Sequence, residues 1–247
     1  MRYAGAVDLP HPLVRGRLVK RYKRFLADVE LDDGRTITAH TPNPGRMTGL
    51  VSSGRRVVLS ESDNPRRKLR FTWELLRLGS RWVGVNPMHS NRLVEEAIAR
   101  GIASPLTGYH ELKREVGLDG DEASARLDFR LRAGDELAWL EVKTATLVEP
   151  LPDGRKVARF PDAPTARGRR HLELLRNRAR RGERAVLCFV VQRGDVDLVT
   201  SADAIDPAYG EGLRRAVGDG VEVLAYGARV GPRRMLLDRA IEVALEA

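Results

Sequence analysis

The 247-residue chain is 42% hydrophobic and 31% charged, a balance that supports a buried core and excludes a disordered chain. Lysine and arginine number 43 against 34 acidic residues, and the formal charge of +9 favours polyanionic partners through counterion release. The single cysteine, Cys188, excludes an intramolecular disulfide and a cysteine-cluster zinc site.

The N-terminal stretch MRYAGAVDLPHPLVRG has no apolar run able to serve as a signal peptide. From there to residue 84 the chain reads as short strands broken by turns. Arg17–Val29 alternates loosely, and Asp32-Asp33-Gly34 turns into RTITAH. PNPG marks a turn at 42–45, followed by RRVVLSES, KLRFTWELLRL and RWVGVN. Short strands with turn signals roughly every 8–12 residues predict a small barrel or sandwich. The pattern leaves an oligonucleotide-binding barrel and an SH3-like barrel both open.

Near Val85–Ser90 the character changes. NRLVEEAIARG sets Leu93, Val94, Ala97 and Ile98 on one helical stripe ahead of a capping glycine, Gly101. Three strand patterns follow (HELKREVGL, SARLDFRL, AWLEVKT), then the basic helix TARGRRHLELLRNRARRG and the apolar strand AVLCFVV. A helix, PAYGEGLRRAVGDG, and a strand, VEVLAYGA, come last. This order predicts an α/β unit on a mixed sheet, dividing the chain into residues 1–84 and 85–247. AVLCFVV is far too short to span a bilayer, so no membrane association is expected, Cys188 reads as a buried thiol, and a cytoplasmic location follows.

The chemistry concentrates in two of these strands. In SARLDFRL, alternation puts Arg126, Asp128 and Arg130 on one face; in AWLEVKT, Trp139, Glu141 and Lys143 share a face. Gly134-Asp135 between them suits a two-residue hairpin turn. Ala133 then pairs with Glu136, and counting outward sets Asp128 opposite Glu141. Two facing carboxylates repel, which sheets avoid and a divalent cation relieves. Lys143, two residues on, can orient or deprotonate an attacking water or stabilise charge on a phosphate. E-x-K alone is a weak motif, and Glu111-Leu-Lys113 is a second copy on a face that reads as solvated.

RYKRFLADVELDDG, HTPNPGRM, DNPRRKLRFTWEL, NRLVEEAI, ARLDF, LEVKT and FPDAPTARGRRHLELL, in that order, closely resemble the SfsA (sugar fermentation stimulation protein A) family over nearly the whole chain. The resemblance implies an N-terminal oligonucleotide-binding barrel and a following domain of the PD-(D/E)xK nuclease type. It also implies DNA binding and a regulatory role in sugar, particularly maltose, metabolism. The nuclease pattern carries over to Glu96 on the helix, Asp128, Glu141 and Lys143, with Asp128 and Glu141 as metal ligands; the choice of Glu96 over Glu95 rests on the resemblance alone. Ala125 stands where the family often has Ser, and Thr41 where Cys is frequent.

The cofactor expected from this set is Mg2+, with Mn2+ as its substitute, and the partner is DNA without strong sequence specificity, with RNA second. Candidate nucleic-acid contacts are Lys20, Arg21, Lys23 and Arg24 beside Tyr22 and Phe25, Arg46 beside the PNPG turn, and Arg167 and His171 at a helix start. The bland alternatives are a solvated strand edge for the first group and packing beside the sheet for His171. Glu115 reads as solvated, the alternative being that it lines the same site from the neighbouring strand. Oligomeric state is not legible.

Overall fold

The computed structural model describes residues 5–118, 122 and 125–245. Ser124, at the head of the predicted SARLDFRL strand, and residues 1–4 of the N-terminal stretch lie outside them. Strand β1 (Val7–Asp8) precedes the alternating strands β2 (Leu13–Tyr22), β3 (Leu26–Leu31), β4 (Thr36–His40), β5 (Arg56–Glu61), β6 (Phe71–Leu78) and β7 (Arg81–Gly84). β2 to β7 hydrogen-bond in the order β4-β3-β2-β5-β6-β7, and a parallel β4–β6 pairing closes five of them into a barrel. That order, with the third and fifth barrel strands parallel, is the oligonucleotide-binding topology. Alternate residues point inward, and Leu18, Val29, Met47, Leu59, Trp73 and Leu76 fill the interior.

The helix α1 (Ser90–Ala99) follows, and then β8 (Glu111–Gly117), β9 (Arg126–Ala133), β10 (Glu136–Thr144), β11 (Leu147–Pro150) and β12 (Lys156–Phe160). The chain continues through α2 (Ala166–Arg180), β13 (Arg184–Val191), β14 (Leu198–Ser201), α3 (Pro207–Gly218), β15 (Glu222–Val230), β16 (Arg234–Ala240) and β17 (Glu242–Val243). The main sheet runs β1-β16-β15-β13-β10-β9-β8, with β10, β13 and β15 parallel at its centre. Central β13 is buried on both faces, which is why it reads as the continuous run AVLCFVV rather than an alternation. A second sheet, β11-β12-β14-β17, lies beyond the sequence reading. Its strands are too short for a period-two pattern to register.

Leu93, Val94 and Ala97 of α1 pack on Phe129, Leu140, Val142, Cys188 and Val190. The barrel joins this layer through Val58 and Leu75. On the opposite face Leu172, Leu175 and Leu213 of α2 and α3 cover Trp139, Leu187 and Phe189. Residues 7–8, read with the barrel, instead pair with β16 in the main sheet, Val7 opposite Met235. Thr165 starts α2 by accepting from the Gly168 amide, and Asp206 starts α3 by accepting from Tyr209. Among the described residues no helix is long and apolar enough to cross a membrane.

Candidate active site

The β9–β10 hairpin turns on Gly134, whose φ of +61° suits glycine at a tight turn. Ala133 pairs with Glu136, and the register continues to Phe129 opposite Leu140. One step further the backbone ladder gives way to side chains. Oδ2 of Asp128 accepts from the Val142 amide at 2.8 Å, and Oδ1 accepts from Nδ2 of Asn91 on α1 at 2.9 Å. Glu141, opposite, is only 2% exposed. Its Oε1 accepts from Nζ of Lys143 and touches Nδ1 of His171. Its Oε2 is buried with no hydrogen-bond partner.

The two carboxyls diverge in acidity. Burial, then the neighbouring Glu141 charge, push Asp128 above the usual range, against the bonds from Val142 and Asn91 and the charge of Lys143. Burial also presses Glu141 upward, but His171 and Lys143 outweigh it and hold Glu141 below its ordinary value. The pair is therefore an ionised Glu141 beside an Asp128 whose charge is disfavoured. Arg167 Nε donates to His171 Nε2 at 3.4 Å, and Nζ of Lys143 lies 3.1 Å from His171 Nδ1, so Lys143, His171 and Glu141 meet at one point.

This set suits a hard divalent cation. Both donors are carboxylate oxygens, they repel each other, and Oε2 of Glu141 is unsatisfied. Among the described residues no three His, Cys, Asp or Glu side chains gather into a metal-holding group by themselves. Further positions on a cation would fall to water or an anionic ligand, as magnesium accepts.

Asp128, Glu141 and Lys143 line a cleft of about 490 Å3 together with Asn91, Thr144, Glu115 and Arg167. Glu96 does not line it. It lies five residues beyond Asn91, roughly 140° further around the helix, so the helix residue that reaches the carboxylates is Asn91. Glu95 pairs with Arg114 of β8. Glu115, read as solvated with a place in the site as the alternative, is exposed and sits on the cleft wall.

The barrel supplies another wall. Pro42, Asn43, Pro44 and Gly45 line the same cleft. A Cβ on Gly45 would lie 2.1 Å from Oδ2 of Asp162, so glycine is what lets the loop close on the FPDAP segment. Oδ2 of Asp162 accepts from the Met47 amide and from Oγ1 of Thr146, both at 3.2 Å. Arg21, proposed from sequence as a nucleic-acid contact, spends its guanidinium on the carbonyls of Arg24, Asn43, Gly45 and Arg46. Its work is to hold the PNPG loop, whose carbonyls take up its Nη1 and Nη2 groups. His171 is 7% exposed and backs Glu141, so it is placed to position a carboxylate rather than to meet an anion. Lys20 pairs with Asp28 and lies over the Tyr22 ring, while Lys23, Arg24, Arg46 and Arg167 stay exposed.

Asn91 and Asp162 escaped the sequence reading as site residues. Asn91 precedes the helical stripe and Asp162 sits in FPDAP, but nothing in a linear pattern tells that Asn91 meets the hairpin or that Asp162 lines the same cleft.

The comparisons with known proteins agree with this architecture. The "SfsA N-terminal OB domain" matches residues 19–85, and the "Sugar fermentation stimulation protein RE domain" matches 88–234. A sugar fermentation stimulation protein homolog of Geobacter metallireducens is 50% identical over 96% of this chain and 99% of its own. The homolog of Syntrophotalea carbinolica is 47% identical over 97% of this chain and all of its own. The structure of Pyrococcus furiosus SfsA in complex with Ca2+ superposes with a TM-score of 0.82, covering 96% of this chain and 97% of that one at 24% identity. With both halves matched in order and near-half identity along the full length of curated relatives, the chain belongs to the sugar fermentation stimulation protein (SfsA) family.

Proposed function

We infer that the chain is a divalent-metal-dependent phosphodiesterase of nucleic acid, with DNA as the first substrate and a PD-(D/E)xK nuclease type of site. The observation that carries this reading is the opposed pair Asp128 and Glu141, with an unsatisfied carboxylate oxygen and Lys143 beside them, at the bottom of a cleft edged by Arg167. Asp128 and Glu141 would hold Mg2+ or Mn2+, which when bound supplies charge neutralisation at a phosphate and activation of water. The Pyrococcus furiosus relative was solved with Ca2+, a cation of the same oxygen preference, which supports a hard-cation site here.

The chain's own residues divide the remaining work. Asn91 and the Val142 amide fix the Asp128 carboxylate, and His171 fixes that of Glu141. Lys143 presents an ammonium that stabilises developing negative charge or orients the attacking water. Exposed Arg167 offers a forked donor for a phosphate oxygen.

One observation favours a second reading, a non-catalytic DNA-binding regulator linked to sugar metabolism: Oε1 of Glu141 is already occupied by Lys143 and His171. Activity separates the two. Wild type, Glu141→Ala and Lys143→Ala are compared on linear, nicked and single-stranded DNA and on RNA, with Mg2+ or Mn2+. We expect metal-dependent cutting by wild type and a loss of about a hundredfold or more in each variant. No cutting on any substrate would leave the regulator reading; cutting retained by both variants would assign it to a contaminant.

A further inference from the structure

Three surface depressions run into one another. One of about 440 Å3 is lined by Arg24, Arg46 and the Pro44-Gly45 turn of the barrel. It shares Pro44 and Gly45 with the central cleft, whose floor carries Asp128 and Glu141. The central cleft shares Glu115 and Arg167 with a third depression, of about 530 Å3, lined by Arg126, Arg170 and His171. Together they make one track with arginines at both ends. Its carboxylates (Asp128, Glu141, Glu115 and Asp162) line the central cleft.

The track also carries apolar surface. Among the described residues only three large apolar side chains stand exposed: Val19, Phe25 and Met88. Met88, 74% exposed, lines the central cleft; Phe25, 44% exposed, adjoins Arg24 at the β2–β3 hairpin. Unpaired bases give such side chains a face to stack on, whereas a duplex keeps its base faces stacked inside and offers only base edges and backbone. The carboxylate pair also lies at the bottom of a cleft walled by the barrel's PNPG loop, and one flexible strand enters such a cleft more readily than a stiff cylinder of two.

We propose that this track takes a single unpaired polynucleotide strand, whose phosphates meet Arg24 and Arg46 at one end and Arg126 and Arg170 at the other, while Met88 and Phe25 stack on its bases. Arg126, Arg170 and Met88 thereby become binding residues that composition and motif did not single out. The assignment rests on the nucleic-acid reading above but not on cleavage.

Binding measured in EDTA keeps the two apart. Fluorescein-labelled oligothymidylate and oligouridylate of about 12 nucleotides, and a DNA duplex of the same length, are titrated by anisotropy. Both single strands should bind at least about tenfold more tightly than the duplex, and the ratio between them reports the sugar preference. Arg46→Glu and Arg126→Glu should each weaken single-strand binding about tenfold and flatten its salt dependence. Met88→Ala should weaken it about fivefold at unchanged salt dependence. All three residues are exposed, and an unchanged melting temperature verifies each variant's fold. Duplex binding as tight as single-strand binding overturns the proposal, and so does a silent charge reversal at either end. Binding in EDTA with no cutting in Mg2+ supports the track while the phosphodiesterase reading falls. No binding to any oligomer in EDTA overturns the track, while cutting in Mg2+ decides the phosphodiesterase reading separately.

Discussion

At the scale of single residues, the site is governed by how two carboxyls share a buried space. Asp128 keeps its proton to a higher pH than a free aspartate because burial and the Glu141 charge both oppose ionisation. Ionising it therefore costs folding stability, a cost absent below the unfolded pKa and fully felt once pH has risen through the folded one. A divalent cation removes that cost, so Mg2+ or Mn2+ should raise the melting temperature at neutral pH. Saturation at a hundred times Kd corresponds to about 2.7 kcal/mol, or roughly 5–10 °C for a chain of this size. The shift should fade on acidification as Asp128 takes up its proton, and vanish in Glu141→Gln. Scanning fluorimetry with and without metal reads this directly; a neutral-pH melting temperature indifferent to both metals would remove the cation from the site. Much of this pair was legible beforehand, because a Gly-Asp turn fixes a hairpin register and the register fixes which side chains face each other. Glu96 was not, because a hydrophobic stripe locates the buried face of a helix but not which of two acids on its margin looks towards a sheet edge. The role of His171 was equally hidden: a histidine at a helix start looks the same in sequence whether it meets an anion or backs a carboxylate.

At the scale of elements, a small all-β unit (barrel or sandwich) and a mixed sheet were readable from strand spacing and from the change of period near residue 85, whereas the oligonucleotide-binding topology came from the family resemblance. The β11–β12 pair was lost because strands of four and five residues, the first ending on Pro150, carry no usable period. What pattern could not reveal is that the PNPG loop of one unit closes on the FPDAP segment of the other. That contact is steric as much as polar, since any side chain at Gly45 meets the Asp162 carboxylate. Gly45→Ala should therefore destabilise by about 1–3 kcal/mol through overpacking, measured by urea denaturation. The backbone at Gly45 is not in the left-handed region, so the cost lies in the approach and not in the turn. Gly45→Ala combined with Asp162→Ala relieves the clash, and the double variant should lose clearly less than the sum of the two single ones. Strict additivity would show that the loop does not rest on Asp162.

At the scale of the whole molecule, a second buried carboxylate ties the barrel to helix α1. Glu74 of β6 is 1% exposed and accepts from Ser60 Oγ at 2.6 Å, Asn86 Nδ2 at 2.8 Å and His89 Nε2 at 2.7 Å. Asn86 and His89 bracket the turn that leads into α1, whose Asn91 holds Asp128. Gln192, just past β13, donates to the Asn86 carbonyl and to Ser90 Oγ, and Ser90 in turn bonds Thr144 beside Lys143. Barrel, helix and sheet thus share one polar network, reinforced by β1, which precedes the barrel in the chain and pairs with β16 of the main sheet. Such coupling should make the two units unfold in one transition in urea. Burial alone would raise the pKa of Glu74, but the His89 hydrogen bond and charge, with Ser60 and Asn86, outweigh it and leave the pKa depressed. Its stabilising contribution is therefore present above the unfolded value of about 4.3 and is lost as pH falls through the folded one. Glu74→Ala leaves three buried donors without an acceptor and should cost about 3 kcal/mol. Because those donors sit at the junction, the loss should appear as two separated transitions, the barrel parting from the sheet. Glu74→Gln keeps the shape and removes the charge, so its stability should no longer fall on acidification by Glu74's share. Wild type that already unfolds in two steps, or Glu74→Ala that keeps a single transition at unchanged midpoint, would show that the junction is held elsewhere.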